Sequence, residues 1–489
     1  MDTQLPVSPI KREKLKKQRL LLLKQSMRSS LPVLSRSEIR RYRLPYYDSV
    51  LADLMERGLT NTEQFLRQLV QYQEELRKEQ GPDSIMSRRP RLRESRDELD
   101  LVYRGLANAE VAHFKNNMCE EIDELLKLGI QFGLGAEDWW WLGEQILIQA
   151  NNRSKEFMRD GGKKQALTKF IYGKFLFENM NDYEKAKLLL MESRALSNGS
   201  TWSARRELGP YQDSLFVEAC ILLYRILLIE AKQTMKSDPL KAARICILAQ
   251  KRALDACDHI GEATALMLQG ICEMEAGDAD SATISFEKVL ILYTRAGQSE
   301  GVCEGRIHAA LAYLKIGKFS MALAHLEKLL AYAQENYFPY YTAQAHKCLG
   351  EFHLNQGSPH LATSMLIKAI QEFHDIGDIL NREQVKNLAA ISSGQELIPK
   401  YVELILKSGR KEMKGYESLI KLVNWKDTRE LFWTEESSCL AFSRSSLHFF
   451  DHTVNDNLNC TSSEKLLEVI EMDTEEEQNE FVEFQTFIE

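Results

Sequence analysis

Three short segments carry residue types that could do chemistry. Gly161-Gly162-Lys163-Lys164 has the glycines and lysines of a phosphate loop, in which backbone N–H groups and an ammonium cradle phosphate oxygens. The GxxxxGK[ST] spacing and a preceding strand are both lacking, so the segment reads as a helix-to-helix turn. Asp278-x-Asp280 with Glu287 offers the carboxylates of a calcium loop. The turn glycine and third ligand are absent, however, and Ala282 stands where an acid belongs. His448 and His452, four apart, could grip zinc from one helix face, but no local Cys or Glu set completes a site. His308, His325, His346, His353 and His360 fall at scattered positions, and no Ser-His-Asp or paired-carboxylate pattern stands out. The chain is therefore expected to be non-enzymatic, with no catalytic residue, cofactor or metal.

The elements that hold these segments repeat. Ala242, Ala282, Ala322 and Ala362 recur at one fixed spacing, each after a turn sequence: Asp238-Pro239, Gly277-Asp278, Gly317-Lys318 and Gly357-Ser358. A fixed period of about 40 residues is the sign of stacked helical hairpins. The tetratricopeptide pattern needs small residues where two helices cross, because close crossing leaves no room for bulk. Gly270, Gly277, Ala282, Phe286 and Val289 fill that pattern in one unit. Ala310, Tyr313, Gly317, Ala322, Leu326 and Leu329 fill it in the next, and Leu349, Gly350, Gly357, Ala362, Leu366 and Ala369 in the third. A degenerate unit ends with Asp238, Ala242, Cys246 and Ala249, and another, with one extra turn residue, has Tyr172, Gly173, Asp182, Tyr183 and Ala186. The fold expected is all-α, a tetratricopeptide-type hairpin solenoid with repeats longer than the common ~34 residues, flanked by disordered tails.

A solenoid of this type lines its groove with one side of each first helix. That side carries Met267, Ile271, Met274, Ile307, Leu311 and Leu314, then Lys347, Glu351 and Leu354. It is more apolar than a groove for a charged peptide, and the lysine and asparagine clamp for a terminal carboxylate is missing, since Met267, Ile271, His308 and Cys348 stand in its positions. A helix or an extended segment of another protein is the expected occupant. The competing reading is that these residues pack against a neighbouring repeat or a C-terminal helix.

Charge is segregated at the ends. Residues 1–43 carry a net +9 and residues 461–489 a net −9, leaving −8 between them. The basic arm, with Lys11, Arg12, Lys14, Lys16, Lys17 and Arg19, could lie on an acidic polymer such as nucleic acid or the tubulin surface. The alternative is a solvated tail with a short helix around Leu20–Leu23. No apolar run approaches the roughly 20 residues of a membrane span, and no apolar signal segment precedes the basic run. Nine cysteines without a CxxC pair fit a reducing compartment.

Capping boxes at Thr60/Glu63 and Ser95/Glu98, and Asp138 ahead of Trp139–Trp141, mark expected helix starts. The organisation expected is a basic arm over 1–43, a helical region over 44–160 and the repeat array over 161–390. A capping helix over 391–435, with Leu397, Tyr401, Leu404 and Ile405 as its apolar positions, and an acidic tail over 436–489 complete it.

Three stretches outside the alanine series carry a family resemblance: Asp160–Ala166 (DGGKKQA) running into Tyr172-Gly173, Leu196–Trp202 (LSNGSTW) and Asn424–Phe432 (NWKDTRELF). With the Tyr42-Arg43 and Tyr46-Tyr47 region and the three-unit array, the chain resembles the tetratricopeptide repeat protein 29 family over about residues 38–435. The resemblance implies an axonemal protein of cilia and sperm flagella, linked with inner dynein arms and intraflagellar transport and needed for flagellar beating. Implied partners are inner-arm dynein components, intraflagellar transport proteins and tubulin, with no nucleic acid and no membrane. The implied location is cytoplasm, cytoskeleton and the axoneme of cilium or flagellum. A cytoplasmic adaptor or dynein-preassembly cochaperone is the alternative.

Overall fold

A computed structural model describes residues 9–30, 35–410, 413–429 and 431–432. His448, His452 and the acidic tail lie outside the described residues. Among the described residues the chain is helical, with one isolated antiparallel bridge between Ser203 and Ser214. It divides into two compact units, one of Met1–Gln356 with Ser364–Lys386 and the other of Gly357–Thr363 with Asn387–Glu489.

The first unit opens with α1 (Pro9–Ser30), α2 (Arg36–Arg43), α3 (Tyr46–Glu56), α4 (Thr60–Gln80), α5 (Ile85–Arg88), α6 (Arg96–Phe114), α7 (Met118–Gly133) and α8 (Trp140–Glu156). Within the expected disordered arm, α1 is far longer than a turn around Leu20–Leu23. Its Lys, Arg, Leu and Gln are strong helix formers, and Pro9 sits at the first helical position, where its missing N–H costs nothing.

The expected helix starts are right in place and wrong in mechanism. Thr60 is the first helical residue, not the cap, and the free N–H groups of α4 go to a distant carboxylate. Glu110 Oε1 and Oε2 accept from Asn61 at 3.0 Å and Thr62 at 2.9 Å. Ser95 caps α6 by backbone position alone, because its hydroxyl donates to the Arg91 carbonyl at 3.0 Å. Asp138 sits inside a short 3-10 turn, Glu137–Trp139, and pairs with Arg89 at 3.6 Å. The capping box that does form, Ser35 with Glu38, opens α2.

The repeat hairpins are α9 (Lys163–Phe175) with α10 (Tyr183–Ser197); then, after a short α11 (Arg205–Leu208), α12 (Leu215–Thr234) with α13 (Pro239–Asp255), α14 (His259–Glu275) with α15 (Ala279–Ala296), α16 (Ser299–Ile316) with α17 (Phe319–Glu335), and α18 (Pro339–Asn355) with α19 (Pro359–Ile376). The tetratricopeptide-type architecture expected from the sequence is therefore present. The extra residue in the first hairpin is absorbed by a single π-helical turn, Leu176–Met180. Ala242, Ala282, Ala322 and Ala362 are all fully buried.

One regularity was not foreseen. The left-handed turn residues Cys257, Gly277, Gly297, Gly317, Tyr337, Gly357 and Gly377 recur at half the repeat period, with φ between 56° and 88°. The helices on either side of each turn are thus nearly equal in length, and glycine fills five of the seven positions because φ > 0 costs it nothing. Tyr337, 89% exposed, and Cys257 hold the conformation without that freedom.

The boundary expected at residue 161 is not a break in packing. A single apolar core runs from Tyr47 on α3 through Trp141 and Phe170 to Ile226 on α12, so α3–α8 and the first hairpin share it.

In the second unit, the expected capping helix from residue 391 begins within α20 (Ile379–Ser408), and α21 (Met413–Thr428) follows it. Tyr401 and Ile405 remain exposed, so they are not the seal that their apolar character suggested. Tyr401 instead joins Trp425 and Phe432 in a ring cluster with centroids 5.6–5.9 Å apart.

Candidate functional site

The first helices of the hairpins, α14, α16 and α18, contact one another in succession and form the face on which a partner was expected. Their glycines and alanines are on the crossing side, where Gly270 abuts Phe286 and Ala310 packs with Ala322 and Leu326. On α14 the opposite side is buried as well, with Leu268 and Cys272 in the core of the preceding hairpin. Gly350 is buried on α18, while Gly277, Gly317 and Gly357 serve the turns.

The eight expected groove residues do not form one open patch. Met267 is 7% exposed and belongs to the core with Ala263, Phe286 and Val302, so it is corrected from a contact residue to a packing residue. Ile271 and Met274 lean half-buried on that same core. Ile307 packs on Cys303, Leu329 and Ala345, and Leu314 on Ala310, Leu326 and Leu349. Leu311, between them on α16, is 41% exposed and is the apolar group most open to a partner. Lys347 and Leu354 are half-buried, and Lys347 Nζ donates to Gln384 Oε1 at 3.4 Å. The cause of this splitting is the close approach of α14, α16 and α18, which lets each helix shield part of the next.

Polar contacts that the sequence did not reveal cross-link the array. His325 on α17 meets Glu287 on α15 at 3.1 Å and stacks on Tyr313 of α16, whose hydroxyl donates to Glu287 at 3.2 Å. Tyr341 donates to Glu304 at 3.2 Å, and Lys315 Nζ donates to the Met274 carbonyl at 3.2 Å. His346 Nδ1 is 2.8 Å from Glu372. The Tyr341–Glu304 and Lys315–Met274 partners stand close to one repeat apart in the chain. That offset is the sequence signal that could have found them.

Electrostatically the face is a set of half-desolvated groups. Burial lowers the His325 and His308 imidazoles below their ordinary value, with Glu287 and Glu304 pulling the other way. Burial likewise raises the Glu351 carboxyl and pushes the Cys348 thiol up to about 12. A thiol so raised is a poor nucleophile. His325 Nδ1 is buried without a hydrogen-bond partner, so the His325–Glu287 pair does not lead on to a hydroxyl or thiol as a nucleophilic triad would. The arrangement can hold helices and present side chains.

The glycine-lysine turn is closed to phosphate. Asp160 accepts from the backbone N–H groups of Gly162 at 3.0 Å and Lys164 at 2.6 Å, while Lys164 Nζ pairs with Asp123. Asp278 is likewise occupied as the cap of α15, accepting from Ser281 N–H at 3.1 Å, and Glu287 is held by His325. Among the described residues no group of three or more His, Cys, Asp or Glu is placed to hold a metal ion. No described helix is long and apolar enough to cross a membrane.

A recess of about 290 Å³ opens between α4, α6, α7 and α8 and is lined by Phe65, Gln68, Gln149 and the paired groups His113, Glu121 and Arg153. Glu121 meets His113 at 2.9 Å through Oε2 and Arg153 at 3.1 Å through Oε1, so both its oxygens are already engaged. Four separate helices build it, and no local motif announces it.

Among solved structures, the chain shows likeness to helical-repeat proteins at low identity. No family model matches the chain, and no curated protein matches it. Solved structures with a likeness include the Signal Transduction ATPase with Numerous Domains protein with a tetratricopeptide repeat sensor from Pyrococcus horikoshii, 14% identical with a TM-score of 0.36 over 68% of this chain and 49% of that one. BtubC from P. vanneervenii is 14% identical with a TM-score of 0.33 over 48% and 91%. A tetratricopeptide repeat protein from Parabacteroides merdae is 14% identical with a TM-score of 0.25 over 61% and 100%. The chain spans about half of the first of these. At such scores the likeness carries no argument about partner or activity.

Proposed function

We propose that this chain is a non-catalytic scaffold of the ciliary or sperm-flagellar axoneme, bound to inner dynein arm components and supporting assembly and beating of the flagellum. The observation that carries the scaffold half is the exposed Leu311 on α16, flanked by half-buried Ile271, Met274, Ile307 and Leu314. The place of action rests on the resemblance of Asp160–Ala166, Leu196–Trp202 and Asn424–Phe432 to the tetratricopeptide repeat protein 29 family. The basic helix α1 supplies a charge suited to the acidic tubulin surface.

Cross-linking mass spectrometry on purified axonemes tests both halves, since it reports location and neighbours together. Links from α14, α16 or α18 to inner-arm dynein subunits are expected. Absence of the protein from axonemes, with recovery in the cytosolic fraction beside unassembled dynein chains, would replace this reading with the cochaperone alternative.

A further inference from the structure

A recess of about 210 Å³ lies between α7 and α11, and none of the groove residues lines it. Asp123, Lys127, Ile130 and Gln131 stand at helical spacing along α7 as one wall, and Arg206 and Glu207 of α11 form the other. Two segments that the sequence singled out help to build it. Lys164 of the glycine-lysine turn pairs with Asp123 and ties that carboxylate to α9. The stretch Leu196–Trp202 leads into the loop that carries α11, and this loop is stapled at both ends. Leu215 N–H donates to the Trp202 carbonyl at 2.7 Å, Ser203 pairs with Ser214 as an antiparallel bridge, and Arg205 Nε donates to the Gln212 carbonyl at 2.7 Å. Ala204, just ahead of α11, is buried. The two walls are therefore held in place before any ligand arrives.

The charges of the lining are unequally spent. Lys127 pairs with Glu124, and Asp123 with Lys164. Arg206 is less committed, since its side chain is 76% exposed and reaches Asp123 only at 4.0 Å. Glu207 has a carboxylate oxygen, Oε2, that is buried and accepts no hydrogen bond among the described residues. A buried charged acceptor is costly until a donor meets it. As successive residues of one helix, Arg206 and Glu207 do not face each other, so neither quenches the other. A ligand that completes this site must bring both signs, a cation for Glu207 and an anion for Arg206. The recess is smaller than the roughly 300–1,000 Å³ of a pocket for a drug-sized molecule, which limits the ligand to a few heavy atoms. We propose that it binds a free α-amino acid, with the ammonium donating to Glu207 Oε2, the carboxylate accepting from the Arg206 guanidinium, and the side chain resting on Ile130.

The test titrates the full chain with L-leucine, L-lysine and L-glutamate, each beside its N-acetyl and its methyl ester form, and reads binding by ligand-observed NMR. At least one free amino acid is expected to bind. Its two blocked forms should fail, because one lacks the ammonium charge and the other the carboxylate. Glu207→Gln and Arg206→Gln each remove one charge and keep the hydrogen-bonding shape. Each should weaken binding by about ten- to hundredfold, the worth of one hydrogen bond to a charged group. Blocked forms that bind as tightly as the free amino acid would overturn the assignment, as would binding unchanged in both variants. No binding of any of the three free amino acids at millimolar concentration would overturn it as well.

Discussion

The ring of Phe286 occupies the space that a methyl group on Gly270 would need: a Cβ built there lies 2.6 Å from the ring. Phe286 is fully buried and stacks on His308 at 5.6 Å, so it has no room to swing away. Gly173 stands in the same relation to Leu190, at 2.9 Å, in the first hairpin. This contact is the physical meaning of the small residue in the repeat pattern.

Gly270→Ala should therefore destabilise the array. Alanine favours a helix by about 1 kcal/mol over glycine, but overpacking costs ~1–3 kcal/mol. A net loss of up to ~2 kcal/mol is expected, read as a lower denaturation midpoint by circular dichroism. Adding Phe286→Leu should recover part of it, as a non-additive pair; full additivity would show that the clash is not the cause.

Tyr337→Gly should act in the opposite direction. The left-handed backbone at φ 56° costs a residue with a Cβ about 1–2 kcal/mol, and glycine returns ~0.4–1 kcal/mol of that to the unfolded chain. The side chain is almost wholly in solvent and loses no packing. A gain on the order of 0.5 kcal/mol is expected, whereas Gly297→Ala at the equivalent turn should lose stability.

Glu110→Ala removes the carboxylate that takes two backbone N–H groups at the start of α4. Leaving the buried Thr62 N–H unpaired costs ~1–3 kcal/mol. Hydrogen exchange should accelerate at Asn61 and Thr62 first; unchanged protection there would mean that water replaces the carboxylate without loss.

Acid should loosen the array through His308 and His325. Burial lowers both folded values below 6.5, so the unfolded chain binds more protons as pH falls. Their contribution to stability is thus complete above the unfolded value and falls away through the window beneath it. Glu351 and Glu144, raised by burial, act in the opposite sense near their own range. The comparison that isolates the histidines is the urea midpoint at pH 7.5 and 5.5 for the parent and for His308→Asn with His325→Asn. The midpoint of the double variant should fall less between the two pH values.

The repeat was legible because it is written in short range. Gly270 and Ala282 belong to one hairpin, and their burial follows from helix geometry and hairpin closure alone. The cap on α4 was not legible, because Glu110 arrives from the far helix α6 and α4 starts where a plausible local box already stood. The groove was half legible. Helix periodicity selects Met267 and Leu311 as members of one face, yet only the lateral spacing of α14 and α16 decides that the first is covered and the second open. The recess at His113, Glu121 and Arg153 needs the positions of four helices and left no mark in any local stretch.

The left-handed turn at every half period makes length change in this array quantised. Removing one whole period deletes a hairpin and leaves every small residue opposite a crossing. Removing a single helix with its turn keeps the turns in step but exchanges the two helix types, so that Phe286-like bulk meets bulk. A chain built this way can grow or shrink through duplication and loss of helix pairs, and it is arrested at single helices by the phase of its alanines.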